Sequence, residues 1–386
     1  MKKKIAILGS TGTIGKKLIE IIKKDKKSFD IVLLSANENY KLLLKQSKLL
    51  NVKNIIITNN QKYLILKKKK IKGLNIFNDF KCFRKIFKTK IDYTMSAISG
   101  LSGLEPTLSI IKYSKTIAIA NKESIICAWN LLKSKLSIYK TKFIPVDSEH
   151  FSIWFGLNDI HSLKIEKIYL TASGGPFLNY PKNKFKFITP KQALNHPNWN
   201  MGNKISIDSA TMMNKVFELI EAKKIFNLDY KKIDILVHRS SYIHAIIKFS
   251  NGMIKIIAHD TNMKIPIFNS IYLNKNTLKT SDLNLQNLNN LVLKKVNYKK
   301  FPIDKILNII PKKSSLFETI LVQTNDLLVD LFLNKKINFN EINKYIFDII
   351  NLNEFKRYKK IEPKSLKDIM ILSKKVRQKV TNIIKY

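Results

Sequence analysis

Short apolar runs alternate with longer amphipathic stretches through the first 146 residues of the chain. Lys4 to Leu8 predicts a buried strand, and Ile14 to Lys24 predicts a helix whose apolar face carries Leu18, Ile19 and Ile22. Further short apolar strands are predicted at residues 31–35, 55–58, 93–97 and 116–120. This alternation favours a parallel, doubly wound sheet with helices on both faces.

The pattern changes near residue 150. Residues 165–172 and 233–237 predict strands, and residues 242–249 and 253–258 predict a hairpin that turns at Asn251-Gly252. The stretch from about 274 to 310 is polar and rich in Asn and Lys, which is typical of a linker. Helical periodicity returns from Ser314 to Lys385 and predicts a small helical bundle.

We therefore predict an α/β protein. Its segments are a doubly wound domain (1–146), an α/β domain (147–273), a linker (274–312) and a C-terminal helical domain (313–386).

The formal net charge of +42 raises the question of a nucleic-acid partner. The lysines are scattered along the whole chain among many Ile and Asn residues, all of which have A/T-rich codons. No nucleic-acid motif accompanies them, so we expect no specific nucleic-acid partner. No apolar run is long enough to cross a bilayer, and the two cysteines, Cys82 and Cys127, have no metal-binding spacing. We expect a cytoplasmic protein whose thiols stay reduced and which does not bind membranes.

A glycine-rich turn follows the first predicted strand and opens the first predicted helix. Gly9-Ser10-Thr11-Gly12-Thr13-Ile14-Gly15 has the spacing G-x-x-G-x-x-G. Glycines at this position let a pyrophosphate approach the helix N-terminus, so we predict a dinucleotide site. The second strand ends in Asn37-Glu38-Asn39, and the acidic Glu38 by itself favours NAD over NADP.

Three carboxylates predict a metal site. Asp147 and Glu149 follow the apolar run that ends at Val146, and Glu218 comes later, within a predicted helix. Ligands that are all oxygen favour Mg²⁺ or Mn²⁺ over zinc. The alternative for each residue alone is a solvated surface carboxylate.

Several polar residues predict an anion site. Lys122 follows a strand and can hold an oxyanion, and Ser173 precedes two glycines whose amides suit a phosphate. Ser209 is expected to begin a helix that runs through Glu218, with Asn214 and Lys215 completing a phosphate cup. Taken singly, Lys122 is equally a surface lysine and Ser209 an N-cap. The loop from His196 to Gly202 contains Trp199 among Asn, Pro and Gly residues, which is typical of a mobile flap.

Together these motifs resemble those of the 1-deoxy-D-xylulose 5-phosphate reductoisomerases. The resemblance rests on GSTGTIG, ANKES, PVDSEH, SGGPF, HPNWNMGNKISIDSATMMNK and the later Glu218. It implies rearrangement of a sugar phosphate followed by hydride transfer from NADPH, giving 2-C-methyl-D-erythritol 4-phosphate. It also implies a divalent metal (Mg²⁺, Mn²⁺ or Co²⁺) and a homodimer. Residues 1–146 would then be the NADPH-binding domain, and residues 147–273 the catalytic domain that binds metal and substrate.

The resemblance assigns roles to individual residues. Metal ligands would be Asp147, Glu149 and Glu218. Substrate would be bound by Lys122, Ser148, Ser173, His196, Ser209, Asn214 and Lys215, under a flap with Trp199 and Met201. NADPH would be bound by Thr11, Gly12, Thr13, Ile14, Asn39, Asn121, Glu123 and Gly202, with Asn37 and Glu38 beside the adenosine phosphate.

The chain departs from the family pattern at four places. These are Asn37-Glu38, His238-Arg239-Ser240-Ser241, Asn262-Met263-Lys264 and Asn325-Asp326. Glu38 should repel a 2′-phosphate, so it opposes the NADPH preference that the resemblance implies.

Two other functional hypotheses explain fewer of the motifs. Another NAD(P)-dependent oxidoreductase acting on a sugar phosphate or an aspartyl phosphate leaves the three carboxylates unexplained. A polyanion-binding protein leaves every motif unexplained.

Overall fold

The computed structural model describes residues 2–158, 163–273 and 276–384. Met1, the predicted boundary at residue 274, and Lys385 and Tyr386 of the predicted helical domain lie outside these ranges. The chain divides into two compact units. The first comprises Met1–Ser124, Leu132–Phe151 and Met263–Lys279, and the second comprises Ile125–Leu131, Ser152–Asn262 and Thr280–Tyr386.

A parallel sheet organises the first unit. Its strands are β1 (Lys3–Leu8), β2 (Phe29–Ala36), β3 (Asn54–Ile57), β4 (Asn75–Phe77), β5 (Ile91–Ser96), β6 (Ser114–Ile119) and β7 (Lys142–Pro145). Among the described residues the order is β4-β3-β2-β1-β5-β6-β7, and every pairing is parallel. Residues 5–8 of the central β1 are completely buried, as the continuous apolar run requires. The predicted doubly wound fold is confirmed.

The second unit contains a mixed sheet. Its strands are β8 (Ile165–Ala172), β9 (Ile233–Val237), β10 (Ile243–Phe249), β11 (Ile254–Ala258) and β12 (Lys294–Lys295). In the described part of the chain they lie in the order β11-β10-β8-β9-β12. The β8–β9 pair is parallel and the β10–β11 pair is the predicted antiparallel hairpin.

Helices connect these strands and form the C-terminal region. They are α1 (Thr13–Lys24), α2 (Tyr40–Leu49), α3 (Asn60–Lys68), α4 (Phe83–Ile86), α5 (Leu104–Ile110), α6 (Lys122–Ile138), α7 (Ser148–Leu157), α8 (Pro190–Leu194), α9 (Asn203–Ala210), α10 (Met213–Phe226), α11 (Lys264–Tyr272), α12 (Leu285–Asn289), α13 (Ile303–Leu307), α14 (Phe317–Leu333), α15 (Phe339–Ile350), α16 (Asn353–Lys356) and α17 (Leu366–Ile383). None of these helices in the described ranges is long and apolar enough to cross a membrane.

The C-terminal helices pack as a bundle, as predicted. The long α14 is buried on nearly all sides and packs against α15 and α17. The preceding stretch is more structured than its polar composition indicated. It contains α12, β12 and α13, and it buries Phe301, Ile303 and Ile306. Part of the predicted linker therefore contributes to the core of the second unit, while the three predicted domain boundaries stay predictions.

Candidate active site

The glycine-rich turn joins β1 to α1 in the first unit. A Cβ atom on Gly15 would lie 2.4 Å from the carbonyl oxygen of Gly9, so only glycine lets the helix begin so close to the turn. Gly12 is the N-cap of α1, and no side chain caps the first amides of the helix. Thr11, Thr13 and Ile14 flank this N-terminus, which has the form of a pyrophosphate site.

The residues after β2 have separate roles. The Oδ1 atom of Asn37 accepts a hydrogen bond of 2.9 Å from the Thr58 hydroxyl. Asn39 caps α2 by accepting a bond of 3.1 Å from the amide of Leu42. Glu38 between them is exposed, so its carboxylate faces solvent at the carboxyl end of β2.

Asn121 is the N-cap of α6, and its side chain is fully engaged inside the first unit. Its Oδ1 accepts a bond of 2.6 Å from the amide of Ser124. Its Nδ2 donates to the carbonyls of Ile98 and Gly100, the latter at 2.7 Å. The side chain fixes the start of α6 and the loop at residues 98–100, next to the buried Glu123.

Lys122 and Asp147 form a buried ion pair. The Nζ atom of Lys122 lies 2.8 Å from Oδ2 of Asp147, and Nδ1 of His150 lies 3.0 Å from Oδ1. Burial alone would raise the pKa of Asp147, but the Lys122 ammonium and the hydrogen bond with His150 outweigh it and hold that pKa well below its ordinary value. Asp147 is therefore ionised throughout the neutral range. The sequence prediction gave His150 no role, although its i, i+3 spacing from Asp147 was a usable signal.

Glu149 lies close to Asp147 in the first turn of α7. Each of the two residues offers a carboxylate oxygen within 4.8 Å of the other. The Ser148 hydroxyl donates a bond of 2.6 Å to Oε2 of Glu149. The donor atoms at the carboxyl end of β7 are thus oxygens, which is the chemistry that Mg²⁺ and Mn²⁺ prefer.

In the second unit, Ser173 and His196 are joined directly. Nδ1 of His196 accepts hydrogen bonds from the backbone amides of Asn198 (3.1 Å) and Trp199 (3.0 Å), so the ring proton is on Nε2. That nitrogen donates to Oγ of Ser173 at 3.0 Å, and the Gly175 amide donates to the same oxygen at 3.1 Å. Ser173 therefore keeps its own hydroxyl proton to donate to a ligand.

His196 is held neutral. Burial first, and then the positive charges of Arg239 and Lys215, lower its pKa to about 4. Two cations thus act on the imidazole that touches Ser173.

The loop from His196 to Gly202 has no helix or strand. Its Trp199 ring lies edge-on to His244, with ring centroids 6.0 Å apart, and His244 stacks on His259 at 3.7 Å. Gly202 is the N-cap of α9, so the loop leads directly into the helix that carries Ser209.

The position predicted for Ser209 was wrong. It lies in the last turn of α9, which ends at Ala210, and a second helix, α10, begins at Met213. Met212 separates the two helices with a left-handed backbone (φ 66°). Asn214 and Lys215 therefore occupy the first turn of α10, and both donate to the carboxylate of Glu218, one turn further on.

Comparison with known proteins identifies the family. Family models described as 1-deoxy-D-xylulose 5-phosphate reductoisomerase and as two C-terminal domains of that enzyme match residues 5–129, 143–226 and 260–379. A 1-deoxy-D-xylulose 5-phosphate reductoisomerase of Pelagibacter ubique is 57% identical over 388 residues, covering 99% of each chain. The chain belongs to the 1-deoxy-D-xylulose 5-phosphate reductoisomerase family.

Solved structures of reductoisomerases agree. One from Zymomonas mobilis in complex with NADPH is 30% identical, with a TM-score of 0.87 and 100% of both chains covered. Another, in complex with NADPH, fosmidomycin and magnesium, is 28% identical, with a TM-score of 0.91 and coverage of 99% of this chain and 98% of that one. The family, fold class and enzyme class predicted from the sequence are confirmed. The predicted cofactors are those that these reductoisomerase structures contain.

The departure at Asn325-Asp326 has defined contacts. Asn325 donates a bond of 2.7 Å to Oδ1 of the buried Asp208. Lys204 lies 2.8 Å from Oδ2 of Asp208 and 3.1 Å from Oδ1 of Asp326. These contacts tie α14 to α9 and so support the helix that carries Ser209. Lys264, in the departure at residues 262–264, pairs with Glu20 at 3.0 Å.

Proposed function

We propose that this chain converts 1-deoxy-D-xylulose 5-phosphate into 2-C-methyl-D-erythritol 4-phosphate, with NADPH and a divalent metal as cofactors. The observation that carries the proposal is the set of carboxylates, with Asp147 held ionised beside Glu149. A simple dehydrogenase needs no metal ligands, whereas a rearranging reductoisomerase does. The solved relative that contains NADPH, fosmidomycin and magnesium together supports this choice.

Asp147, Glu149 and Glu218 would hold the metal. The donor set fits a hard divalent cation because all of its ligand atoms are carboxylate oxygens. When bound, the metal supplies Lewis-acid stabilisation of substrate oxygens, and NADPH supplies the hydride. Lys122 would balance the charge of Asp147 and hold a substrate oxyanion.

The phosphate of the substrate would be bound in the second unit. Ser173 offers a hydroxyl proton, and Asn214 and Lys215 offer donors in the first turn of α10, where the helix dipole also favours an anion. Ser209 and neutral His196 would complete the cup. Trp199 and Met201 would cover it and exclude water when the flap closes.

NADPH would bind at the glycine-rich turn, with its pyrophosphate at the N-terminus of α1. Gly12, Thr13 and Ile14 would meet it there, and Thr11 lies beside them. The residues after β2 would face the adenosine ribose, with Glu38 contributing a charge unfavourable to the 2′-phosphate. The Asn121 side chain is committed to capping α6, so a contact with NADPH would use its backbone.

The test is NADPH oxidation by the purified, metal-stripped protein with 1-deoxy-D-xylulose 5-phosphate. We expect absorbance at 340 nm to fall only after Mn²⁺ or Mg²⁺ is added, and the product to be 2-C-methyl-D-erythritol 4-phosphate. Metal-independent oxidation, or a different product, would overturn the proposal.

We also propose that the enzyme is a homodimer that associates through β11. Ile254 and Ile256 are more than half exposed, as is Met253 just before this strand. In the described part of the chain, β11 is an edge strand whose outer side pairs with no other strand. Exposed apolar edge strands invite pairing with another chain, and a second copy offers the same edge in antiparallel orientation.

Sedimentation of an Ile256→Lys variant tests this interface. We expect the mass to fall towards that of one chain, while Leu64→Lys, at another exposed apolar residue, leaves the assembly unchanged. If Ile256→Lys still formed a dimer, β11 would be excluded as the interface.

A cytoplasmic location is proposed on the basis of Cys82 and Cys127, which are both free thiols.

A further inference from the structure

The loop after β9 lies beside the loop that contains Ser173. Strands β8 and β9 are parallel neighbours, with Ala172 opposite Val237. The amide of His238 continues the pairing by donating to the carbonyl of Ala172 at 2.7 Å. Residues 173–175 and 238–241 therefore leave the same edge of the sheet, at the carboxyl ends of two parallel strands, which is where ligands bind in such sheets.

Arg239 connects the loop at residues 238–241 to the loop at residues 173–175. Its Nη1 donates to the carbonyl of Gly175 at 2.6 Å and lies 3.5 Å from the carbonyl of Ser173. Its own carbonyl accepts a bond of 2.5 Å from Nδ2 of Asn198, which also lies 3.0 Å from Oγ of Ser241. Arg239 thus contacts both the Ser173 loop and the base of the flap.

The rest of the guanidinium is available. Arg239 is exposed, and its Nε and Nη2 atoms have no hydrogen-bond partner among the described residues. A guanidinium stays charged at all working pH values and presents paired donors that match phosphate oxygens. The positive charges of Arg239 and Lys215 both lower the pKa of His196, whose Nε2 contacts Ser173, so both cations act on the same pair of side chains.

We propose that Arg239 is a further binding residue for the substrate phosphate, with one edge of its guanidinium on the Gly175 carbonyl and the other edge on the phosphate. This inference rests on the phosphate site of the proposed function. It adds to that site a cation that favours the dianionic phosphate over uncharged groups of the same size. In the alternative, Arg239 has only a structural role and holds the Gly175 carbonyl in place without binding phosphate.

The test measures binding of inorganic phosphate to the full-length protein without substrate, metal or NADPH. Thermal unfolding is followed against phosphate concentration for the unmodified protein and for Arg239→Gln, Arg239→Lys and Lys215→Gln. Arg377→Gln is the matched control, since Arg377 is an exposed arginine on α17. We expect the dissociation constant to rise about 10-fold in Arg239→Gln, as for loss of one charge-assisted contact, to rise less in Arg239→Lys, and to stay unchanged in Arg377→Gln.

Steady-state kinetics separate phosphate binding from a loop-fixing role. Phosphate binding predicts that Arg239→Gln raises KM for the sugar phosphate while kcat changes little. A lower kcat and a lower melting temperature with unchanged KM and phosphate affinity would overturn the inference. If Lys215→Gln loses phosphate and Arg239→Gln does not, only the inference fails. If neither variant loses phosphate, the proposed phosphate site fails as well.

Discussion

The ammonium of Lys122 lies 2.8 Å from Oδ2 of Asp147, and the two residues follow the neighbouring parallel strands β6 and β7. Each is nearly buried, so each charge depends on the other for its stability. A metal ion that binds Asp147 must share this carboxylate with Lys122. The lysine thereby limits metal affinity while it prepares an ionised ligand.

The first prediction separates these two effects. In Lys122→Gln the competing positive charge is gone, so we expect Mn²⁺ to bind more tightly, because the ion no longer shares the Asp147 carboxylate with an ammonium and is no longer repelled by it. Turnover should nevertheless fall, because Lys122 is proposed to hold a substrate oxyanion. Isothermal titration of Mn²⁺ checks the affinity, and weaker binding would show that Lys122 only maintains the fold around Asp147.

The second prediction concerns Glu149. Glu149→Gln keeps the shape and the contact with Ser148 but removes one ligand charge. We expect Mn²⁺ affinity and turnover to fall by more than the roughly 10–100-fold that loss of an outer-shell partner costs. The melting temperature should change little. Glu362→Gln, at an exposed glutamate, is the control and should behave as the unmodified enzyme; normal turnover of Glu149→Gln in saturating Mn²⁺ would remove Glu149 from the ligand set.

The third prediction concerns cofactor choice. Glu38 is exposed, so its repulsion of a 2′-phosphate is screened, and we expect NADPH to remain preferred over NADH. Glu38→Gln should widen the preference and Glu38→Lys should widen it further, mainly through KM for NADPH, because the contact is equal in ground and transition states. Comparing kcat/KM for the two cofactors decides this. Better use of NADH by the unmodified protein would show that Glu38 dominates.

The fourth prediction concerns acid stability. The folded protein holds the pKa of His196 at about 4, below the ordinary 6.5. Between pH 6.5 and about 4, His196 is therefore protonated in the unfolded chain but neutral in the folded protein. The free energy of unfolding falls as pH falls through this window. His196→Gln lacks this loss, so its stability relative to the unmodified protein should improve on acidification. A pH-independent difference in urea unfolding would contradict the shift. In Arg239→Gln, NMR should show a His196 pKa that rises but stays depressed, since burial is the larger cause.

Sequence patterns predicted the first sheet well because its strands are continuous apolar runs that admit little else. They failed at Met212, because the segment from Ile207 to Met213 contains no Gly or Pro that would indicate a break between two helices. They also failed near Phe301, where isolated apolar residues among Lys and Asn are buried by packing that composition does not show.

Candidate site residues could be named from the sequence because the motifs are contiguous, and their roles stay predictions. Their partners could not. Asn121 donates to the carbonyl of Gly100 and Arg239 to that of Gly175, and both contacts join loops that are distant in sequence.

The last prediction concerns Gly175, which lies in the loop after β8 and packs against the end of α9. Its backbone is left-handed (φ 66°), and a Cβ atom there would lie 2.7 Å from the carbonyl oxygen of Ser209. Gly252 offers a matched control, because it is also left-handed (φ 88°) but has no atom within 4 Å of its would-be Cβ. Gly252→Ala should therefore cost only the backbone penalty of about 1–2 kcal/mol.

Gly175→Ala should cost more than this, because either the loop or α9 must move to relieve the contact. The movement shifts Ser173 relative to Ser209, so KM for the sugar phosphate should rise in Gly175→Ala and not in Gly252→Ala. Urea unfolding and steady-state kinetics on the two variants provide the comparison. If the two variants were equally destabilised and KM were unchanged, α9 would move away from the new methyl group at no cost. The Gly175–Ser209 contact would then not position the proposed phosphate site.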